Sequence, residues 1–459
     1  MYHNFNERSV KSAGCKCRAP AKTNRIPVLL RRTPAYRIYH YQGLSMTTTT
    51  GSSKLRRRAR RTLFVGIAAL TLSALGLQSA LAQQDVITFG AALSLTGKVS
   101  TEGRLVKEGY DMYVSHINER GGIKVGGKNY KVAVKYYDDQ SDANTSAKLY
   151  EKLITEDGIK LLLGPYSSGI TFAASAVTEK YQVPMVAAHA AATTVFTRGF
   201  KYVFATLTPV DQYTGNFIKM AAEANPRAQR VALIHENALF PQVSIDAAER
   251  QAKAAGLEVV YKEAYPSGTK DFSAMVEALK ARSPDALIAA GYTGDMIVLA
   301  RQTSEQKVPL KMIGFTLGPT LPGFVESLGG RGEGILEPVQ WTADAGYKDE
   351  IFGWTSAELA ALCQQANNHV CDYHPPQSIA ALEVYQRAIE KAGSLDPQKV
   401  RDAIAQTNIV TAYGPIRFNE LGQNVAKGMT VVQIQNSKPV VVYPANAAKA
   451  KFIYPLPPR

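Results

Sequence analysis

Two lobes, each a doubly wound parallel β-sheet with helices on both faces, are the α/β fold class this 459-residue sequence predicts. Three observations carry the prediction. Short apolar runs alternate with amphipathic stretches of about a dozen residues, the pattern of parallel strands joined by crossover helices. The alternation runs twice, with a break after Thr206. About 377 of the 459 residues follow the basic N-terminal region, a length suited to two compact units.

The first series opens with Val86 to Leu93, an apolar strand. A helix from Gly103 to Arg120 can bury Leu105, Tyr110, Met112, Val114 and Ile117. Lys131 to Tyr137 is a strand ending at Asp138-Asp139, and Ser141 to Thr155 is a helix. Leu161-Leu162-Leu163 has the composition of a fully buried strand. Gly164 and Pro165 break it, Ser167 and Ser168 stand where a helix should start, and Thr171 to Lys180 continue that helix. Val183 to Ala187 and Tyr202 to Thr206 are strands, with the small-residue run His189 to Thr194 between them.

The second series has strands at Arg230 to His235, Leu257 to Tyr261, Asp285 to Ala290 and Leu310 to Phe315. Its helices are Pro241 to Ala255, with proline in the first turn, Asp271 to Arg282 and Asp295 to Gln306. The end of the chain changes pattern. Pro375-Pro376 opens a helix to Ala392, and Pro397 to Gln406 forms another. Ile416 to Phe418, Met429 to Gln435 and Val440 to Tyr443 are short antiparallel strands, with turns at Gly422 and Asn436-Ser437.

The net charge of +15 suggests nucleic acid until it is located. Residues 1–82 hold 15 of the 53 basic and 1 of the 38 acidic side chains, which leaves the remaining 377 residues at +1. A near-neutral body offers no footprint for a phosphate backbone. The basic segment reads as an export signal over residues 46–82. Lys54 and Arg56 to Arg61 form its positive end, Leu63 to Leu77 its apolar stretch, and Ala80-Leu81-Ala82 a small-x-small cleavage site. Arg60-Arg61 leaves both general and twin-arginine export open. Residues 1–45 fit no part of such a signal and are expected to be a non-native upstream extension, with Met46 the true start. The apolar stretch is too short to span a membrane.

Of the four cysteines, Cys15 and Cys17 fall in the leader. Cys363 and Cys371 are expected to close a loop disulfide in an oxidising compartment. His369 and His374 nearby match no standard zinc spacing, so no metal is expected.

Catalytic readings find little to hold. Ser94-Leu95-Thr96-Gly97 after the first strand is no dinucleotide fingerprint, and neither a Walker pattern nor a nucleophile elbow with plausible partners is present. Asp138-Asp139 reads better as a strand end or a helix cap than as a metal pair. No cofactor is expected. What remains is a crevice outside the C-terminal strand ends, where open α/β sheets hold ligands. A strand entering a serine-rich helix N-terminus gathers free N–H groups, the positive dipole end and small hydroxyls, which suits an anion. Phe240, Tyr292 and Thr293, and Phe315 and Thr316, lie at other strand ends.

In this order and spacing, Ile87-Thr88-Phe89-Gly90 to Leu95-Thr96-Gly97, Gly109, Ile117-Asn118 to Gly121-Gly122-Ile123 and Tyr137-Asp138-Asp139 form a pattern. Gly164-Pro165-Tyr166-Ser167-Ser168, Pro184-Met185-Val186 and Tyr413-Gly414-Pro415-Ile416-Arg417-Phe418 continue it. The chain resembles, from Ile87 to Pro444, the periplasmic solute-binding proteins of branched-chain-amino-acid ATP-binding-cassette (ABC) importers. The resemblance implies a type I periplasmic binding protein: two lobes, a multi-stranded hinge, closure on a ligand and delivery to a membrane permease, with no enzymatic activity. It implies lobe 1 from residues 85–207 and 337–410, lobe 2 from 208–336 and 411–446, and a tail from 447–459. A monomer is expected.

The resemblance also assigns roles. Ser168, with Ser167, falls where a hydroxyl meets a ligand carboxylate, and Ala190, Ala191 and Ala192 or Thr193 where N–H groups and a threonine complete the grip. Tyr292 falls at an aromatic wall, Phe240 where amino-acid binders have tyrosine, and Glu102 where several have a lid. The family's amino-acid binders place an acid after the strand equivalent to Leu310 to Phe315. Here the residues are Phe315-Thr316-Leu317, without a carboxylate. Either Glu102 or Asp211 pairs with an ammonium from another direction, or the ligand is an aromatic or aliphatic carboxylate or an amide. A sensor of the same fold that is not coupled to transport stands as the alternative to an importer component.

Overall fold

The computed structural model describes residues 85–321 and 323–457; the expected extension and export signal lie outside them. The first series contains β1 (Val86–Leu93), α1 (Ser100–Glu119), β2 (Ile123–Val125), β3 (Lys128–Asp138), α2 (Ala143–Thr155), β4 (Leu162–Leu163), α3 (Ser168–Tyr181), β5 (Met185–Ala187) and β6 (Val203–Ala205). Its sheet runs β2-β3-β1-β4-β5-β6, parallel throughout except for the β2–β3 hairpin.

The second series contains α4 (Asp211–Glu223), β7 (Arg230–Glu236), α5 (Leu239–Ala254), β8 (Glu258–Tyr265), α6 (Ser273–Arg282), β9 (Ala286–Ala290), α7 (Thr293–Glu305), β10 (Met312–Phe315), α8 (Phe324–Leu328) and β11 (Leu336–Val339). The chain then forms α9 (Ser356–Asn367), α10 (His374–Ala392), α11 (Pro397–Ala405), β12 (Asn408–Thr411), β13 (Gly414–Arg417), β14 (Thr430–Gln435) and β15 (Lys438–Tyr443). The second sheet runs β15-β14-β11-β10-β9-β7-β8, with only the β11–β14 and β14–β15 pairs antiparallel.

Helix α10 is buried on nearly every face, which explains its apolar and small residues. It reaches α1 at Gly109, where a Cβ would sit 2.4 Å from the Pro375 carbonyl oxygen, so only glycine permits that approach. The Tyr385 hydroxyl of α10 lies 2.7 Å from the carbonyls of both Leu162 and Pro184. It also accepts from the Leu162 N–H at 3.2 Å, which satisfies backbone groups around a strand only two residues long.

Three segments cross between the lobes: one after β6, one after β11 and one between β13 and β14. They are tied together by buried polar groups. Gln340 in the second accepts from Thr208 N–H of the first at 3.3 Å and from the Tyr413 hydroxyl at 2.8 Å. Lys427 in the third donates to the carbonyls of Gln340 and Tyr413. Asn424 donates to the Thr206 carbonyl at 2.9 Å.

Two expected lobe boundaries move. A cut at 336/337 would divide β11, which pairs with β10 and β14 inside the second sheet. A cut at 410/411 would divide the β12–β13 hairpin, whose Ile409, Tyr413, Ile416 and Phe418 pack into the first lobe's core. The tail folds back on the second lobe. Leu456 joins its core and donates its N–H to the Lys311 carbonyl. Among the described residues no helix is long and apolar enough to cross a membrane.

Candidate ligand-binding cleft

In the first sheet β1 is flanked by β3 and β4, and in the second β7 is flanked by β8 and β9. These are the points where each sheet reverses its winding, and a crevice opens beyond their C-terminal ends. The turn after β4 enters that crevice. A Cβ on Gly164 would lie 2.6 Å from Ala187 Cα, so glycine is what lets this strand end run against β5. Ser167 follows with φ of +76°, a conformation that costs energy outside glycine. It caps α3, its hydroxyl accepting from Ile170 N–H at 3.4 Å while its carbonyl accepts from Thr171. The first N–H groups of α3 stay outside the helix's own ladder.

Ser168 joins this turn to the His189–Thr194 run. Its Oγ accepts from the N–H groups of Ala191 at 3.1 Å and Ala192 at 3.0 Å. Both lone pairs are thereby used, and the hydroxyl proton is left for another acceptor. Tyr213 is in the same condition: its oxygen accepts from Gln340 Nε2 at 2.9 Å. Ser168 and Tyr213 both line a cavity of about 20 Å³, completed by Tyr166, Ser167, His189, Ala191, Leu207, Phe240, Tyr292, Leu317 and Tyr373. That is space for about one water, so the two lobes lie closed on each other. The rings meet edge to face: Tyr166 lies 6.2 Å from Tyr292, and Tyr213 lies 5.3 Å from Phe240.

Charged groups near the cleft each have at least one partner. Glu102, on α1, accepts from the Thr293 hydroxyl of the second lobe at 2.6 Å. Lys98 pairs with fully buried Glu236 across the same seam and lies 4.8 Å above the Tyr292 ring. Burial pulls the Lys98 ammonium below its usual pKa, against the opposing pull of Asp295 and Glu102. Asp372 accepts from the N–H of His374 at 2.7 Å and contacts its Nδ1 at 3.2 Å. Glu337, in β11 just before the chain crosses between the lobes, accepts from Thr320 N–H at 2.7 Å, and burial pushes its carboxyl up to about 8. It is therefore neutral near pH 7.

Of the residues singled out in the sequence, Ser167, Ser168, Ala191, Phe240 and Tyr292 come together on the cavity wall. Ala190, Thr193, Thr316 and Glu102 are not on that wall. Ala190 is in the first lobe's core, Thr193 starts a 3-10 turn, and Thr316 is buried with its hydroxyl unpartnered. Asp211 lies on α4 and is bonded to Arg250 instead. Sequence reasoning missed Tyr166, Leu207, Tyr213, Leu317 and Tyr373. Tyr166 was within the quoted glycine-proline turn, and Tyr213 lies at helical spacing from Phe217, so both carried a signal. Cys363 and Cys371 are joined, fastening the end of α9 to the segment that holds Asp372, Tyr373 and His374.

Two lobes on a three-segment hinge, closed on a small cleft at their switch points, define a clamshell binding protein. The model of one protein family, described as periplasmic binding protein, matches residues 86–439. The chain belongs to that family. It is 27% identical over 412 residues to a Leu/Ile/Val-binding protein homolog of Brucella suis, covering 86% of this chain and 99% of the relative. A leucine binding protein from Thermotoga maritima superposes with TM-score 0.70 at 22% identity, covering 77% of this chain and 97% of that one. A solute binding protein of an ABC transporter from R. palustris, solved with benzoate, gives TM-score 0.67 at 17% identity, covering 80% and 99%. At such identities the solved structures show the shared fold.

Proposed function

We propose that this chain is the ligand-capturing component of an ABC importer, exported to the periplasm by its N-terminal signal, and that its ligand is an aromatic monocarboxylate. One observation carries the ligand class: the cavity wall contains five aromatic rings and no aspartate or glutamate. The Ser168 and Tyr213 hydroxyl protons and the first turn of α3 supply donors for a carboxylate. An ammonium held against this wall would meet no carboxylate on it. Glu102, Glu236 and Asp372 are bonded to Thr293, Lys98 and His374, and Glu337 is neutral. A buried ammonium without a counter-charge costs several kcal/mol, enough to remove useful affinity. The benzoate complex of the R. palustris protein shows that the fold accommodates such a ligand.

Thermal unfolding of the mature protein with leucine, valine and benzoate tests the reading. At a hundred times its Kd a ligand adds about 2.7 kcal/mol of stability. Benzoate is expected to raise the melting temperature and leucine to leave it unchanged. The reverse order would refute the aromatic-acid assignment while leaving the binding-protein fold intact. Uptake of labelled benzoate that is lost on deleting this chain would establish the importer role.

A further inference from the structure

His189 forms part of the cavity wall, is 5% exposed, and has one ring nitrogen without a partner. Its Nε2 lies 3.0 Å from Ser378 Oγ. The Ser378 hydroxyl donates to the His374 carbonyl at 2.9 Å, one helical turn back. A carbonyl only accepts, so that bond commits the hydroxyl's single proton. Ser378 Oγ can then only accept from the ring, which fixes His189 as the Nε2–H tautomer. Nδ1, the unpartnered atom, is left with a bare lone pair.

The surroundings supply no proton to Nδ1. His374 stacks on His189 at 5.0 Å between ring centroids, with its own Nδ1 turned to Asp372 and its Nε2 unpartnered. Burial, then the neighbouring His374 ring, holds the His189 imidazole well below its ordinary pKa, against the smaller upward pull of the His374 backbone. The ring therefore stays neutral, and the lone pair stays available. A buried acceptor left unpaired is unfavourable, and a ligand that brings a donor removes that penalty.

We propose that His189 Nδ1 is a specificity-determining acceptor, which selects aromatic carboxylates that carry a ring hydroxyl over those that do not. The inference rests on the reading of the cleft as a carboxylate grip. The carboxylate is held at Ser168 and Tyr213, and the ring hydroxyl donates to His189. A site built to bond a substrate hydroxyl rejects the analogue lacking it, because its own polar group is then stranded.

Titration calorimetry of the mature protein with benzoate, the three monohydroxybenzoates and the matching fluorobenzoates tests this. One hydroxy isomer is expected to bind at least tenfold tighter than both benzoate and its fluoro counterpart, which has similar size and no donor. In His189→Phe that ratio is expected to collapse towards one. His189→Asn, whose side-chain carbonyl can accept in place of Nδ1, is expected to keep part of it. Hydroxybenzoates within threefold of benzoate in the wild type would overturn the proposal even if neither variant folds. A ratio that survives intact in a folded His189→Phe would also overturn it. Binding of leucine with no binding of any benzoate would instead sink the carboxylate reading, and this inference with it.

Discussion

Ser168 does two jobs with one hydroxyl: it takes the N–H groups of Ala191 and Ala192 and keeps its proton for the cleft. Ser168→Ala removes the donor and strands two buried N–H groups. It is expected to weaken the carboxylate ligand by ~1–3 kcal/mol in a calorimetric titration, and also to lower the melting temperature. Unchanged affinity would take Ser168 out of the site. Glu337 yields a pH prediction. Its carboxyl ionises at about 8 when folded, against 4.5 for an ordinary glutamate, because burial disfavours the charge. Between those values the native state holds a proton the unfolded chain has released. Its stabilising contribution is therefore complete below 4.5 and is lost as pH rises towards 8. Glu337→Gln lacks that proton. Its stability relative to wild type is expected to rise by on the order of 3–4 kcal/mol from pH 5 to pH 8. Parallel denaturation curves across that range would show that the carboxyl titrates normally.

At the scale of elements, the strands and helices that repeat a single period were legible, and β1 has the same bounds in the sequence reading as in the structure. The missed elements were those in which tertiary context overrides local pattern. β11 reads Leu336-Glu337-Pro338-Val339, and a carboxylate and a proline argue against a central strand. It is one nonetheless, and the Glu337 carboxyl is accommodated by accepting from the Thr320 N–H. Helix α4 was overlooked, although Tyr213, Phe217 and Met220 bury one face of it, and with it went the Tyr213 donor in the cleft. The site was legible where it depends on the β4 turn and illegible where it depends on α4 and on the start of α10. That second region is fixed by Cys363–Cys371, which closes a loop across a sequence separation of 8. Loop-closure entropy for a loop of that size amounts to about 2.5 kcal/mol. The double variant Cys363→Ser/Cys371→Ser is expected to lose roughly that much stability. It should lose ligand affinity as well, because the cavity-wall residue Tyr373 lies two residues after Cys371. Loss of stability with affinity unchanged would show that the bridge does not position the cleft.

For the whole molecule, the balance between open and closed forms depends on what each lobe loses when they part. Apolar contact across the cleft favours closure, and so do two polar links whose residues are not themselves on the cavity wall: Glu102–Thr293 and Lys98–Glu236. The second is lopsided, since Glu236 is fully buried while the Lys98 side chain keeps 34% of its exposure. In the closed form, among the described residues, Glu236 has no other cation bonded to it and its Oε2 has no partner. Lys98→Met would therefore leave an uncompensated carboxylate in the seam, and the chain relieves that by opening and rehydrating it. A ligand that binds only the closed form then loses affinity in proportion to the closed fraction. Small-angle scattering of the ligand-free variant is expected to show a larger radius of gyration than wild type, and titration a Kd weakened about tenfold. Adding Glu236→Gln removes the stranded charge, so the double variant should recover part of both. Recovery identifies the pair as a closure latch acting at a distance from the ligand. A double variant as open and as weak as Lys98→Met alone would show that Lys98 acts through its contact with the Tyr292 ring instead.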